Sequence, residues 1–571
     1  MAAVIPLLPQ LYLTIGGSEV PGDLSQAISK VDVDLHLYLP DMFVIEVHDE
    51  GFRWIEHSLV KIGQLVDVSV RSSEEEQRPP VALLSGEIVA IEASYPESGV
   101  PTLTLRGYDL SHRLHRGRKV RSFLQMTDSD IATQIAQERG LAADVDSTTH
   151  VHEHLYQENL TDYEFLARRA RALGRVFQVE ARKLLFRKPA NVALPPVVLD
   201  YRSTLLDFRP RLTSSAQVTK LDVRGWDPVA KREITGTAKA ADYRTAKLDF
   251  GRMGNEFANQ AFGPSDTGVA DEPIASQAES EELAIARLSN LWSSDVHAEG
   301  EATGEARIRA GSVVKVQGVG ERFGGDYFVT SARHTFEANG PYRTTFTVGG
   351  HGPDTTADLL LDGATRIEEQ ARGVARGLTI GIVTENKDPK DMARVKVRFP
   401  WLAEDAVSTW ARIASPMAGD GRGLFILPEV NDEVLVGFEH GDFNRPYVLG
   451  SLWNGVDKPP LSASEAVKNG VVKRIFKTRA GHVIQLDDTS GQEKIEIIDK
   501  SNGNKVTIDT AANKITVDAK MEVEIKGGLK ISLSAPQVEI EGQQSVSIKG
   551  AQIESAASGT QTITGGIVKI N

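Results

Sequence analysis

Three histidines stand at alternate positions in the stretch HVHEHL: His150, His152 and His154. Side chains two apart share one face of an extended strand, so three imidazoles could meet there as a zinc site requires. The stretch is not HExxH, because the residue four after His152 is Tyr156. A solvated polar strand ahead of a helix explains the same spacing and is the reading adopted, so no metal site is assigned. AGDGRG (418–423) is glycine-rich but lacks the Lys-Ser/Thr of a phosphate-binding loop, and reads as a turn. No GxSxG elbow occurs. Adjacent carboxylates, such as Asp487 and Asp488 or Glu74 to Glu76, lack neighbours that would raise a pKa and are expected to be solvated. Trp401, Trp410 and Trp453 read as core or domain-interface residues; the mixed charge around them disfavours a base-stacking platform. The sequence thus assigns no catalytic residue and no cofactor.

The elements that would carry such residues belong to a long, ordinary composition. At 571 residues the chain suits three to five domains. With 41% hydrophobic and 25% charged residues, general disorder is excluded. A net charge of −14 argues against a generic nucleic-acid binder. The lack of cysteine excludes disulfides and Cys-ligated zinc, and fits a reducing cytoplasm. The opening MAAVIPLLPQLYLTIGG has no basic region, carries Pro6 and Pro9, then alternates like a strand; it is read as no signal peptide. No apolar run is long enough to span a membrane.

Residues 1–110 read as strands: 31–49 with a break at Pro40, then 64–72, 85–94 and 102–109. Residues 111–200 read as α+β. Asp128 is expected to cap a helix over 127–140, and Thr161 with Glu164 forms a capping box for a second. Its buried stripe is Phe165, Leu166, Ala170 and Leu173, with Gly174 as its cap. Residues 201–353 return to strands with one helix near 276–293, as a second barrel. A polar helical connector is expected over 354–377, a small closed OB-like barrel over 378–455 and a linker over 456–470. The fold class is mainly β.

The tail repeats. Val506, Ile515, Val523, Ile531, Val538 and Val546 open successive V/I-x-I/V/L units at spacings of 9, 8, 8, 7 and 8. A short fixed period signals a solenoid. An octad has only two inward apolar residues, so one chain coiled this way buries too little to offset its ordering entropy. Three chains would bury the seam and pair every edge. The reading is a trimeric β-helical needle over 471–571, with a trimer core of Val506, Ile515, Val523, Ile525, Ile531, Leu533, Val538, Ile540, Val546 and Ile548. A flat solvent-faced meander is the alternative. The tail holds 13 basic and 12 acidic residues, so a dedicated anionic-membrane binder is not indicated.

GIVTENKDPKDMARVKVRFPW, followed by STWARIASPMAGDGRGLFILPEVNDEVLVGFEHGDFNRPYVLGSLWNG, closely resembles the OB block of VgrG-family spike proteins of contractile injection systems. NLTDYEFLARRARALGRVFQVE resembles the family's tail-hub domain, and TRAGHVIQLDDTSGQEKIEIID the start of its spike. The resemblance implies a homotrimer with two hub barrels per chain (1–110 and 201–353), an OB neck and a β-helical spike. It implies inner-tube and baseplate partners, a PAAR-like tip protein, contact with a target cell envelope during injection, and no nucleic acid. Cytoplasmic assembly into a phage-tail-like particle, type VI apparatus or phage baseplate follows. Residues 456–470 are too few for an inserted lysozyme, and with the sequence stopping at Asn571 on the repeat no C-terminal toxin domain is expected. Ile567, Val568, Ile570 and Asn571 are expected to seat the tip protein. A peripheral receptor-binding fibre and a glycan-degrading tail enzyme are the competing functions.

Overall fold

Strand Ile28–His36 alternates apolar and polar residues, and it is paired on both sides. Met42–His48 runs antiparallel along one edge and Ser331–Glu337 along the other, with Val33 opposite Phe43 and His334. The structure in which this pairing is seen is a computed structural model. It describes residues 10–71, 79–189, 195–215, 217–270, 274, 276–338, 340–349, 377–402 and 407–570. The connector expected over 354–377 lies outside these apart from Gly377, as do Glu74 to Glu76 and Asn571.

The pairing of 28–36 with 331–337 merges the two β blocks. They form one eleven-stranded sheet in which the first block supplies seven neighbouring strands and the second four. Val31, Val33, Leu35, Phe43, Ile45 and Val47 all point into the first core, as period-two patterning requires. The second core lies between the continuing sheet and a four-stranded sheet that includes Val313–Gln317 and Gly325–Phe328. Both blocks use the same packing device. Phe43 lies over Gly107 on the neighbouring strand, and Phe346 over Gly300. A Cβ at either glycine would come within 2.1 or 2.2 Å of the ring, so only glycine fits.

Between the blocks sits the α+β insertion. Strand Lys119–Thr127 pairs with Val151–Leu160, while helices Asp128–Glu138 and Asp162–Ala172 pack against a second small sheet. Thr161 and Glu164 form the capping box, and Gly174 follows the helix with φ +60°. Asp128 does not cap the first helix. Thr127 does, in a capping box with Asp130, and Asp128 turns into the core. A cap needs one local amide, whereas Asp128 has the half-buried guanidinium of Arg169 to meet. Asp162 is fully buried and takes Lys119 Nζ at 2.9 Å, Arg121 Nη2 at 3.0 Å and Arg139 Nη2 at 2.5 Å. It thereby binds both elements of the insertion to one carboxylate.

The second block holds a helix beyond that expected near 276–293: Gly254–Phe262 as well as Gln277–Ser293. The latter packs on strands Lys220–Asp227 and Arg232–Ala238 around Leu221, Val223, Ile234 and Leu288.

Residues 379–451 close a five-stranded barrel. The order is Lys396–Arg398, Thr379–Glu385, Glu433–Phe438, Pro446–Ser451 and Arg412–Ile413. Two bonds between Val395 and Ala411 join the last strand back to the first. Val383, Val395, Val397, Phe399, Val434, Val436 and Val448 fill it. AGDGRG is a tight hairpin, Ala418–Gly419 against Arg422–Gly423, with Gly421 at φ +61°.

The chain divides into two compact units, Met1–Asn454 and Gly455–Asn571. In the second, Ala463–Ala466 is a single helical turn capped by Ser462. Strands Lys473–Lys477, Val483–Asp487, Lys494–Ile498, Asn504–Asp509 and Lys514–Ala519 follow as an antiparallel meander. The start of the 471–571 segment is thus a meander within the chain, not coils of a solenoid. Its turns return the chain on itself, where a coil would advance it. From 520 to 570 no strand pairs within the chain among the described residues.

Candidate functional site

The three histidines are structural ties. His150 Nδ1 lies 3.2 Å from Ser276 Oγ, a hydroxyl that already accepts the Glu279 amide as the cap of its helix. His152 is buried with Nε2 at 2.8 Å from Asp128 Oδ2. His154 Nε2 donates to the Val407 carbonyl at 3.1 Å. Burial holds His150 and His154 below the usual imidazole range. Among the described residues no group of three or more His, Cys, Asp or Glu is placed to hold a metal.

Other buried ionisable groups also belong to the frame. Asp41 accepts the His36 amide at 2.7 Å, and its own amide donates to Asp109 Oδ2 at 3.1 Å. Burial pushes Asp41 well up, with the Asp109 charge adding, and burial pushes Asp109 up to about 6. Asp487, expected to be solvated, is covered: Thr489 donates to it and Lys473 stands 3.5 Å away. The Thr489 hydroxyl, ahead of burial in size and opposite in sign, holds it below the usual carboxylate range. Asp488 is exposed and pairs with Arg474 at 2.6 Å. Trp401 and Trp453 stand on the surface instead of in the barrel core, where valines already fill the space. Trp410 lies under Lys396, whose Nζ is 4.9 Å from the ring centroid.

The arrangement that asks for a partner is in the second unit. The register of the meander puts Phe476, Ile484, Ile497, Val506 and Val517 in one cross-strand row. Leu486, Ile495, Ile508 and Ile515 make a second row on the same face. The opposite face carries charges, including Glu496 between Lys494 and Lys505. The apolar face is largely open in the chain alone; Val506 is half-buried and Ile515 is 71% exposed.

Beyond it the octads share a repeated local geometry. Val523, Ile531, Val538 and Val546 are 51–54% exposed, and Ile525, Leu533, Ile540 and Ile548 are 65–71% exposed. A Cβ at Gly527 or Gly542 would strike the carbonyl oxygen three residues on, Lys530 or Ser545. The same corner therefore recurs with the same residue type. Ile567, Val568 and Ile570 are exposed as well. Ladder donors and apolar side chains are both left without intrachain cover, the condition that strand exchange between chains relieves.

A paired double hub, an α+β insertion, a closed OB barrel and an apolar-faced repeat tail define a phage-baseplate type of spike. Residues 46–338, more than half the chain, match the family described as the Alg8 N-terminal domain. Residues 379–453 match the type VI secretion system/phage-baseplate injector OB domain. The chain belongs to the Alg8 N-terminal domain family and is a VgrG-family spike protein. A 118-residue segment is 30% identical to the type VI secretion system spike protein VgrG2a of Pseudomonas aeruginosa. That segment is 20% of this chain and 14% of that protein. Over 108 residues the chain is 35% identical to the spike protein VgrG5 of the same organism, covering 18% of this chain and 14% of that one. The chain therefore spans about a seventh of the curated relatives it matches. The lidded Francisella PdpA-VgrG complex shares the fold, with a TM-score of 0.53 at 9% identity over 90% of this chain and 80% of that chain.

Proposed function

We propose that the chain is the homotrimeric central spike of a contractile injection system. It joins an inner tube and baseplate to a β-helical needle that carries a PAAR-type tip and pierces a target envelope. The role is mechanical, not enzymatic. Assembly takes place in the cytoplasm, and the product is part of an injection particle.

One observation carries the reading: two apolar rows, eight of whose nine residues are exposed, followed by exposed octads, stand in a single chain. Full burial of each such side chain is worth roughly 1.5–3 kcal/mol. Two further copies can cover the face and supply strand partners to 520–570 at once. Ile567, Val568 and Ile570 would offer the tip protein an apolar seat, with Asn571 beside them. A structure whose backbone bonds are all paired and whose seam is dry resists shear during contraction.

Sedimentation of the full chain at micromolar concentration tests the reading. A trimer that survives dilution and detergent is expected, and removal of 471–571 should abolish most of that resistance. A monomeric full-length chain would overturn it.

A further inference from the structure

Asparagine stands before glycine four times in the chain, at Asn339, Asn454, Asn469 and Asn502. Asparagine is a chemically labile residue, and most so before glycine, which has no Cβ to hold its backbone nitrogen away from the asparagine side chain. Asn339 lies outside the described residues. The other three steps differ in what restrains the two groups that would react.

Asn454 is half-buried and its Nδ2 donates to Glu433 Oε2 at 2.9 Å, so its side chain is fixed to the barrel. At Asn502 the backbone nucleophile is engaged. The Gly503 amide donates to Asp499 Oδ1 at 3.2 Å and to Ser501 Oγ at 3.1 Å. Asn469 has neither restraint. It is exposed, and among the described residues neither its side chain nor the Gly470 amide has a hydrogen-bond partner. Gly470 has φ +132°, and nothing lies within 4 Å of where its Cβ would stand.

The turn around this step is closed. Val467 bridges Val471. The Lys468 amide donates to the Gly470 carbonyl at 3.0 Å, and the Val472 amide to the Ala466 carbonyl at 2.8 Å. These bonds lead the helical turn Ala463–Ala466 into strand Lys473–Lys477.

We propose that Asn469–Gly470 is a site of spontaneous isoaspartate formation, and that the product opens this turn. The Gly470 backbone nitrogen attacks Asn469 Cγ. The new N–C bond closes a succinimide ring as the Cγ–Nδ2 bond breaks, and ammonia leaves with the proton that the Gly470 amide gives up. Water then adds to the ring. Addition at Cγ restores an ordinary aspartate; addition at the main-chain carbonyl carbon leaves the chain running through Cβ and Cγ, as isoaspartate. One water is consumed and one ammonia released. Isoaspartate adds a carbon to the backbone between Val467 and Val471, whose bridge clamps the turn, so the bonds at Lys468 and Val472 lose their geometry. Both products also add a negative charge.

Ageing the full-length protein in mildly alkaline buffer tests this. Peptides containing each asparagine are followed by the mass gain of deamidation and by labelling with an isoaspartyl methyltransferase. Two hydrogen bonds must open before Gly503 can react, so Asn469 should convert at least about tenfold faster than Asn502. It should also outpace Asn454. Hydrogen exchange at the Val472 amide should quicken in step with isoaspartate at 469, and should stay slow in aged Asn469→Gln, whose longer side chain closes the ring poorly. An unreactive Asn469, or equal rates at Asn469 and Asn502, overturns the site. Unchanged exchange at Val472 in fully converted protein overturns the opening of the turn.

Discussion

Asp128 Oδ2 stands 2.8 Å from His152 Nε2, and the same carboxylate takes Arg169 Nε at 2.6 Å and Nη2 at 3.0 Å. One buried residue thus ties helix 128–138 to strand 151–160 and helix 162–172. Burial alone would raise this carboxyl, but Arg169 and His152 prevail and hold it well below the usual range. The stability it confers is present above the unfolded value and is lost as pH falls below it. Asp128→Ala leaves half-buried Arg169 and buried His152 without their shared partner and is expected to cost about 3–5 kcal/mol. Urea unfolding at pH 7 measures it, and the deficit should shrink toward pH 2.

The acid pair in the hub has the opposite sign. Asp41 and Asp109 are both raised, so ionising them at neutral pH costs stability that returns as pH falls through about 6 toward the unfolded values. Asp41→Asn keeps the oxygen that accepts the His36 amide and removes the charge. It should raise the thermal midpoint by a few degrees at pH 8 and give little gain at pH 4. Calorimetry at the two pH values decides it; a loss at pH 8 would show that the charge is needed.

Single positions in the octads separate faces. Ile531→Asp would put three carboxylates near the axis of the proposed trimer, each costing several kcal/mol if unpaired. Val523→Asp should do the same. Ser532→Asp on the other side should be mild. Detergent-resistant trimer on a gel is the measurement, and equal effects at Ile531 and Ser532 would mean that the faces are reversed.

Truncation after Gly559 addresses the tip. The upstream octads remain, so the trimer should persist while binding of a PAAR-like protein is lost. A pull-down with full-length and truncated spikes reads this directly. Unchanged capture by the truncated form would place the cap elsewhere.

What was legible in the sequence was local or periodic. Thr161 and Glu164 announce a helix start because the capping box closes within four residues. The octads announce themselves because each repeats the last. Asp128 misled because a cap and a buried ion pair use the same residue type, and the deciding partner, Arg169, lies 41 residues on. Helix Gly254–Phe262 has Met253 where a Ser, Thr, Asp or Asn cap would stand, and only Glu256, accepting the Met253 amide, marks its start, so the signal in the sequence was weak. The burial of Asp487 depends on Thr489 and Lys473 meeting across a turn and a strand pair. Neither the merging of the two blocks nor the bond from His154 to Val407 leaves any periodic trace, since each depends on partners hundreds of residues away.

That merging sets a clock on synthesis. Asp32 meets Arg333 across 301 residues, and strand Ile28–His36 has no second neighbour until Ser331–Glu337 has been made. At about 5–20 residues per second, the ribosome needs roughly 15–60 s to supply it. For that interval the nascent first block presents an open strand edge to every other chain on the same message. The cell must either shield that edge or make the protein slowly enough that few such chains coexist.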